Sequence, residues 1–65
     1  MIGDWVIVFM FSGQRRRLQT PMESQYDFNE INKGFWIDEQ HQLVRENRGK
    51  YWIPPSQIEV IERLQ

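Results

Sequence analysis

The chain has 65 residues, a net charge of −1 and no cysteine, so it holds at most one domain, draws on no disulfide and lacks the basic excess of a dedicated polyanion binder. A domain of this size buries only about 60% of the surface its unfolded chain exposes, and with one histidine and no cluster at ligand spacing the sequence offers neither a metal site nor a cofactor. Three Trp, four Phe and two Tyr are the resource it has instead, each ring able to bury roughly 150–250 Å².

The run from Trp5 to Phe11 is rich in Trp, Val, Ile and Phe and is bounded by Gly3-Asp4 and Ser12-Gly13, which reads as a strand. It is far shorter than the ~20 residues a membrane helix needs and has no basic flank or cleavage site of a signal peptide. No membrane partner is expected, and a cytoplasmic location agrees with the lack of cysteine. Side chains alternate along a strand, so Trp5, Ile7, Phe9 and Phe11 point one way and Val6, Val8 and Met10 the other. One face of an antiparallel sheet is normally wet. A strand apolar on both faces therefore predicts cover from the loop that follows or from a second copy of the chain.

From Ser12 to Asn29 no period is sustained and Gly13 and Pro21 interrupt, so the segment reads as a long loop with a short strand near Tyr26 to Phe28. Loops of this length are often functional. This one carries the basic cluster Arg15, Arg16 and Arg17, while Glu23, Asp27, Glu30, Asp38 and Glu39 make the middle of the chain acidic. Gly34 to Ile37 reads as a second strand, Asp38 to His41 as its turn, and Gln42 to Glu46 as a third strand with Leu43, alone or with Val44, directed inward. Asn47-Arg48-Gly49 has the form of a three-residue hairpin connection closing on a left-handed glycine. Lys50 to Ile53 then makes a fourth strand, ended by Pro54, which cannot donate to a ladder. Two readings fit the last segment. Ser56-x-x-Glu59 has the form of a capping box, with Val60 and Leu64 at helical spacing. The β-branched Ile58, Val60 and Ile61 favour the other, a single tight turn at Pro55 to Gln57 and then a fifth strand.

The segment Ile53-Pro54-Pro55-Ser56-Gln57-Ile58 and, before the central strand, Ile31-x-Lys33-Gly34 resemble motifs of the Src-homology-three-like (SH3-like) small barrels, as does the order of elements. The resemblance implies an all-β fold over residues 1–65: a small five-stranded SH3-like barrel with a long first loop and one helical turn before the last strand. For peptide-binding members it also implies an aromatic groove that receives proline-rich segments. Trp36 would stand for the groove tryptophan, Pro54 for the groove proline, and Glu23, Asp27 and Glu30 for the acidic loop that meets basic ligand residues. Gln57 or Ser56 occupies the place of the expected turn tyrosine, and Trp5-Val6-Ile7-Val8 replaces the usual opening motif. Many unrelated proteins use this barrel, so function has to be argued from residues.

The functional expectation is a non-enzymatic binding module that engages a protein partner through Arg15, Arg16, Arg17, Trp36, Tyr51, Trp52 and Pro54. Adjacent Tyr51 and Trp52 must face opposite sides, so one is core and the other is available as an interface anchor. A second reading is a nucleic-acid-binding barrel in which Arg15 to Arg17 grip phosphates with strong salt dependence, as against a solvated loop tip. A third is a self-associating homo-oligomer that buries the two-faced first strand. His41 beside Asp38 and Glu39 lacks the ligand set for zinc and reads as a solvated turn histidine. No serine or threonine has a base and an orienting group near it in sequence, so catalysis is not expected.

Overall fold

The computed structural model of the protein describes residues 3–64 and places the first apolar run in the middle of a sheet. Strand β1 (Gly3–Phe11) turns back through Ser12-Gly13 into β2 (Gln14–Met22). Both turn residues are left-handed, with φ of 54° at Ser12 and 73° at Gly13, the two-residue geometry whose twist matches that of the flanking strands. After β2 comes helix α1 (Gln25–Asn32), then three short strands: β3 (Phe35–Ile37), β4 (Leu43–Val44) and β5 (Tyr51–Ile53). A 3-10 turn at Pro55–Gln57 leads into β6 (Ile58–Arg63), which returns to the free edge of β1.

Two antiparallel three-stranded sheets result, β2-β1-β6 and β4-β3-β5. The mostly-β character expected from the sequence holds, as do the strand at residues 35–37, the tight turn after Pro54 and the strand after it. The expected closed five-stranded barrel does not form. Strand β2 ends in α1 instead of continuing into the second sheet, so β2 and β4 are left as separate edges. Residues expected to form a long loop make β2 and α1, which places Arg15, Arg16 and Arg17 on a strand. The Asn47-Arg48-Gly49 hairpin is also corrected: Glu46–Arg48 is a 3-10 turn, Gly49 has φ −77°, and β4 and β5 pair with β3 and not with each other.

The core lies between the two sheets. Ile7 and Phe9 of β1 and Leu18 and Met22 of β2 face Phe35, Ile37 and Ile53 of the second sheet, with Ile31 of α1 closing one side. The rings of Phe9 and Phe35 meet edge to face at 5.3 Å and join the sheets. Trp5 meets Phe28 in the same way at 4.7 Å, which docks α1 against the first sheet. Edge-to-face contact of this kind sets the positive ring edge on the negative face. Asp27 in the first turn of α1 reaches back to accept the N–H of Glu23 at 2.8 Å. The helix ends where Gly34, at φ +105°, donates its N–H to the carbonyl of Ile31, the left-handed terminus that glycine supplies without strain. Among the described residues no helix is long and apolar enough to cross a membrane.

Candidate functional site

Because the sheets do not close, the gap between the β2 and β4 edges stays open as a cleft of about 800 Å³, with α1 along one side. Pro21 and Met22 at the end of β2 form one wall, Phe35 and Trp36 of β3 the back, and Leu43 and Arg45 the opposite wall. From the helix come Tyr26, Asp27 and Glu30, with Glu23 just before it. Tyr26 is 67% exposed, more than any other large hydrophobic side chain among the described residues. The rim is acidic on the helix side, where Glu30 is bonded to Lys33 at 3.0 Å, and among the described residues its basic group is Arg45. The Glu30 carboxylate holds the Lys33 ammonium above the usual lysine range, chiefly by accepting its hydrogen bond.

Trp36 is also the wall of a second, smaller notch of about 350 Å³ that it shares with Trp52 and Glu46. Trp36 and Trp52 are cross-strand partners on β3 and β5, with ring centroids 5.4 Å apart and planes tilted by 52°. Two glycines fix these rings. A Cβ on Gly34 would lie 2.4 Å from the ring of Trp52 and 2.9 Å from the carbonyl of Ile53, and one on Gly49 would lie 2.6 Å from the Cβ of Trp36. Each indole thus lies against bare backbone, which holds it in place while Trp52 remains 46% exposed. Two indole faces beside a carboxylate attract a cationic group by ring quadrupole and charge together. Among the described residues Glu46 forms no ion pair.

The sequence candidates separate into three places. Trp36 and Trp52 come together at the notch, and Pro54 follows β5 directly. Tyr51 lies on the other face of β5, half-buried, its ring 4.9 Å from Phe11 and 6.3 Å from His41. Trp52 is therefore the outward member of the pair. The arginines do not form one patch, because alternation on β2 sends Arg15 and Arg17 to the outer face of the first sheet and Arg16 to the core side. Arg15 is bound to Glu59 of β6 at 2.9 Å, and Arg16 keeps a buried Nε with no hydrogen-bond partner among the described residues. His41 is half-buried rather than solvated, left-handed at φ 62°, with Phe11 5.1 Å away. Tyr26 and Glu46 were missed as site residues. Only a helical reading of residues 25–32, through Phe28 and Ile31 at a spacing of three, would have turned Tyr26 outward.

An exposed ion pair between Glu39 and Lys50 braces the turn before β4 against the start of β5. Its hydrogen bond is the main reason the Glu39 carboxyl lies below, and the Lys50 ammonium above, their ordinary ranges. A lowered acid pKa contributes stability that is present above the unfolded value and lost as pH falls through the folded one. A raised lysine contributes below its unfolded value and loses that contribution as pH rises through the folded one. Carbon-detected NMR titration is expected to find Glu39 below the ordinary glutamate range, and Lys50→Met to return it toward that range. A Glu39 midpoint unchanged by that substitution would refute the pairing.

Comparison with protein families, with curated proteins and with solved structures returns no match.

Proposed function

We propose that the protein is a small non-catalytic binding module that takes an extended segment of a partner protein in the cleft beside α1 and anchors a basic side chain of that segment at the Trp36–Trp52 notch. The observation that carries this reading is that one ring, Trp36, borders both cavities, so a chain lying in the cleft passes directly onto the two indoles. Aromatic anchors seated on rigid backbone lose little conformational freedom on binding, which is why Trp and Tyr dominate interface hot spots. The acidic Glu23, Asp27 and Glu30 on one rim and Glu46 at the notch set the charge of the partner segment. Strand addition at the β2 side of the cleft is disfavoured by Pro21, which has no N–H to offer at that edge. The segment is therefore held by side-chain pockets. This reading rests on the cleft and does not require kinship with the SH3-like barrels.

A peptide with one arginine or lysine between apolar residues is expected to shift the NMR signals of Tyr26, Trp36 and Trp52, while an acidic peptide of the same length leaves them in place. Trp52→Ala is expected to stay folded and to weaken that binding by about 10-fold or more, the effect of losing an aromatic hot spot. Equal shifts with the acidic peptide, or tighter binding of a single-stranded oligonucleotide than of any basic peptide, would overturn the proposal.

A further inference from the structure

We infer that the outer face of the first sheet is a self-complementary surface that pairs with the same face of a second copy of this chain. This goes beyond the cleft and does not depend on it. The register of β1 with its neighbours puts Val6, Val8 and Met10 on the face turned away from the core, with Arg15, Arg17, Gln19 and Pro21 of β2 on one side. On the other side are Val60 and Glu62 of β6, and Leu64, whose N–H continues the ladder to the carbonyl of Asp4 at 2.9 Å. Val60 and Leu64 are 43% and 44% exposed. Val8 is buried at 3% without belonging to the core cluster. The centre of this face is thus apolar from Val6 to Met10, with the exposed Asp4 at its end accepting a hydrogen bond from Gln19 at 2.8 Å; its β2 flank is basic through Arg15 and Arg17, and its β6 flank acidic through Glu59 and Glu62.

Charge selects one arrangement of two copies. A two-fold axis lying between the sheets and running across the strands would set β2 over β2 and place arginines against arginines. An axis running along β1 sets β2 of one copy over β6 of the other, with the strands nearly aligned, as stacked sheets prefer. At matching heights Val6 and Met10 then meet their own copies across the axis, on either side of the buried Val8, Asp4 at the end of the strand comes over its own copy while bonded to Gln19 of its own sheet, and Leu64 lies over the partner subunit's Pro21. Arg17 comes over the partner subunit's Val60 between its Glu59 and Glu62, and the internal Arg15–Glu59 pair can be exchanged between copies. This is the self-complementarity that an isologous dimer requires. Three strands about 4.8 Å apart offer a face of only a few hundred Å², below the ~800 Å² per partner of a standard interface. The dimer is accordingly weak and concentration-dependent.

Sedimentation velocity on the full chain, from micromolar to millimolar concentration, is expected to show the mass rising from one copy toward two. Arg15→Glu with Arg17→Glu makes both flanks acidic, and Glu59→Arg with Glu62→Arg makes both basic. Each double variant alone is expected to dimerise about tenfold or more weakly, and an equimolar mixture of the two to regain the dimer. Circular dichroism establishes that each is folded. Should either fail to fold, Val60→Lys at its exposed site supplies the test, since it sets a lysine against the partner subunit's Arg17 and is expected to abolish the dimer. A parent chain that stays monomeric throughout, or folded variants that dimerise as well as the parent, would overturn the inference.

Discussion

Phe9→Ala is expected to leave most of the chain unfolded at room temperature, with the cooperative urea transition seen by circular dichroism lost or moved close to zero denaturant. Phe9 is 1% exposed, and its ring is the contact that joins the first sheet to Phe35 of the second. Removing a buried phenylalanine costs about 3–5 kcal/mol through lost transfer energy and the cavity left behind. At about 0.05–0.15 kcal/mol per residue a chain of this length has roughly 3–10 kcal/mol in total, so one such cavity takes a large share of it or all of it. The second sheet has strands of only three, two and three residues and cannot stand without that support, since short hairpins are marginal by themselves. Val60→Ala on the exposed outer face is the control and is expected to stay within about 0.5 kcal/mol of the parent. A Phe9→Ala protein that melts alongside that control would mean that the sheets are held together elsewhere.

The sequence disclosed elements whose packing is written into single residues. The alternation from Trp5 to Phe11 assigned both faces of β1 correctly, with Ile7 and Phe9 in the core cluster and Val6, Val8 and Met10 on the other side. Pro54 and the β-branched Ile58, Val60 and Ile61 marked the last turn and strand. Strand β2 was hidden because three arginines in succession obscure a period of two: of its nine residues only Leu18, Thr20 and Met22 are buried. The two-residue turn Ser12-Gly13 followed by that alternation was the available signal. Helix α1 was obscured by its shortness and polarity, with Ile31 its one buried residue. Its β-branched and aromatic residues carry no strong helix propensity, and it is held by the docking of Phe28 on Trp5.

The candidate site was legible in its residues but not in its shape. Trp36 and Trp52 were singled out as anchors, and their pairing across β3 and β5 follows from strand registry. The cleft beside them arises because β2 gives way to a helix, a tertiary event with no local signature. Gly49 shows the same limit from another side. It reads as a residue chosen for a left-handed turn, yet its φ of −77° is open to any residue. Glycine is required there because the Trp36 side chain occupies the space a Cβ would fill.

Gly34→Ala is expected to lower the melting temperature by roughly 10–25 °C, at about 4–8 °C per kcal/mol for a domain of this size. Two costs combine. At φ +105° a side chain is strained by about 1–3 kcal/mol. The new methyl would also lie 2.9 Å from the backbone carbonyl of Ile53 and 2.4 Å from the ring of Trp52, so the indole has to leave its seat. The second cost is separable from the first. In the Trp52→Ala background the ring contact is gone while the backbone strain and the Ile53 contact persist. The double variant is therefore expected to be more stable than the sum of the two single losses by about 0.5–3 kcal/mol, the coupling expected of residues in direct contact. Strict additivity would mean that the indole does not rest on Gly34. Coupling would mean that one glycine fixes both the end of α1 and the position of the exposed ring, so that Gly34→Ala disturbs the notch through the same contact by which it destabilises the fold.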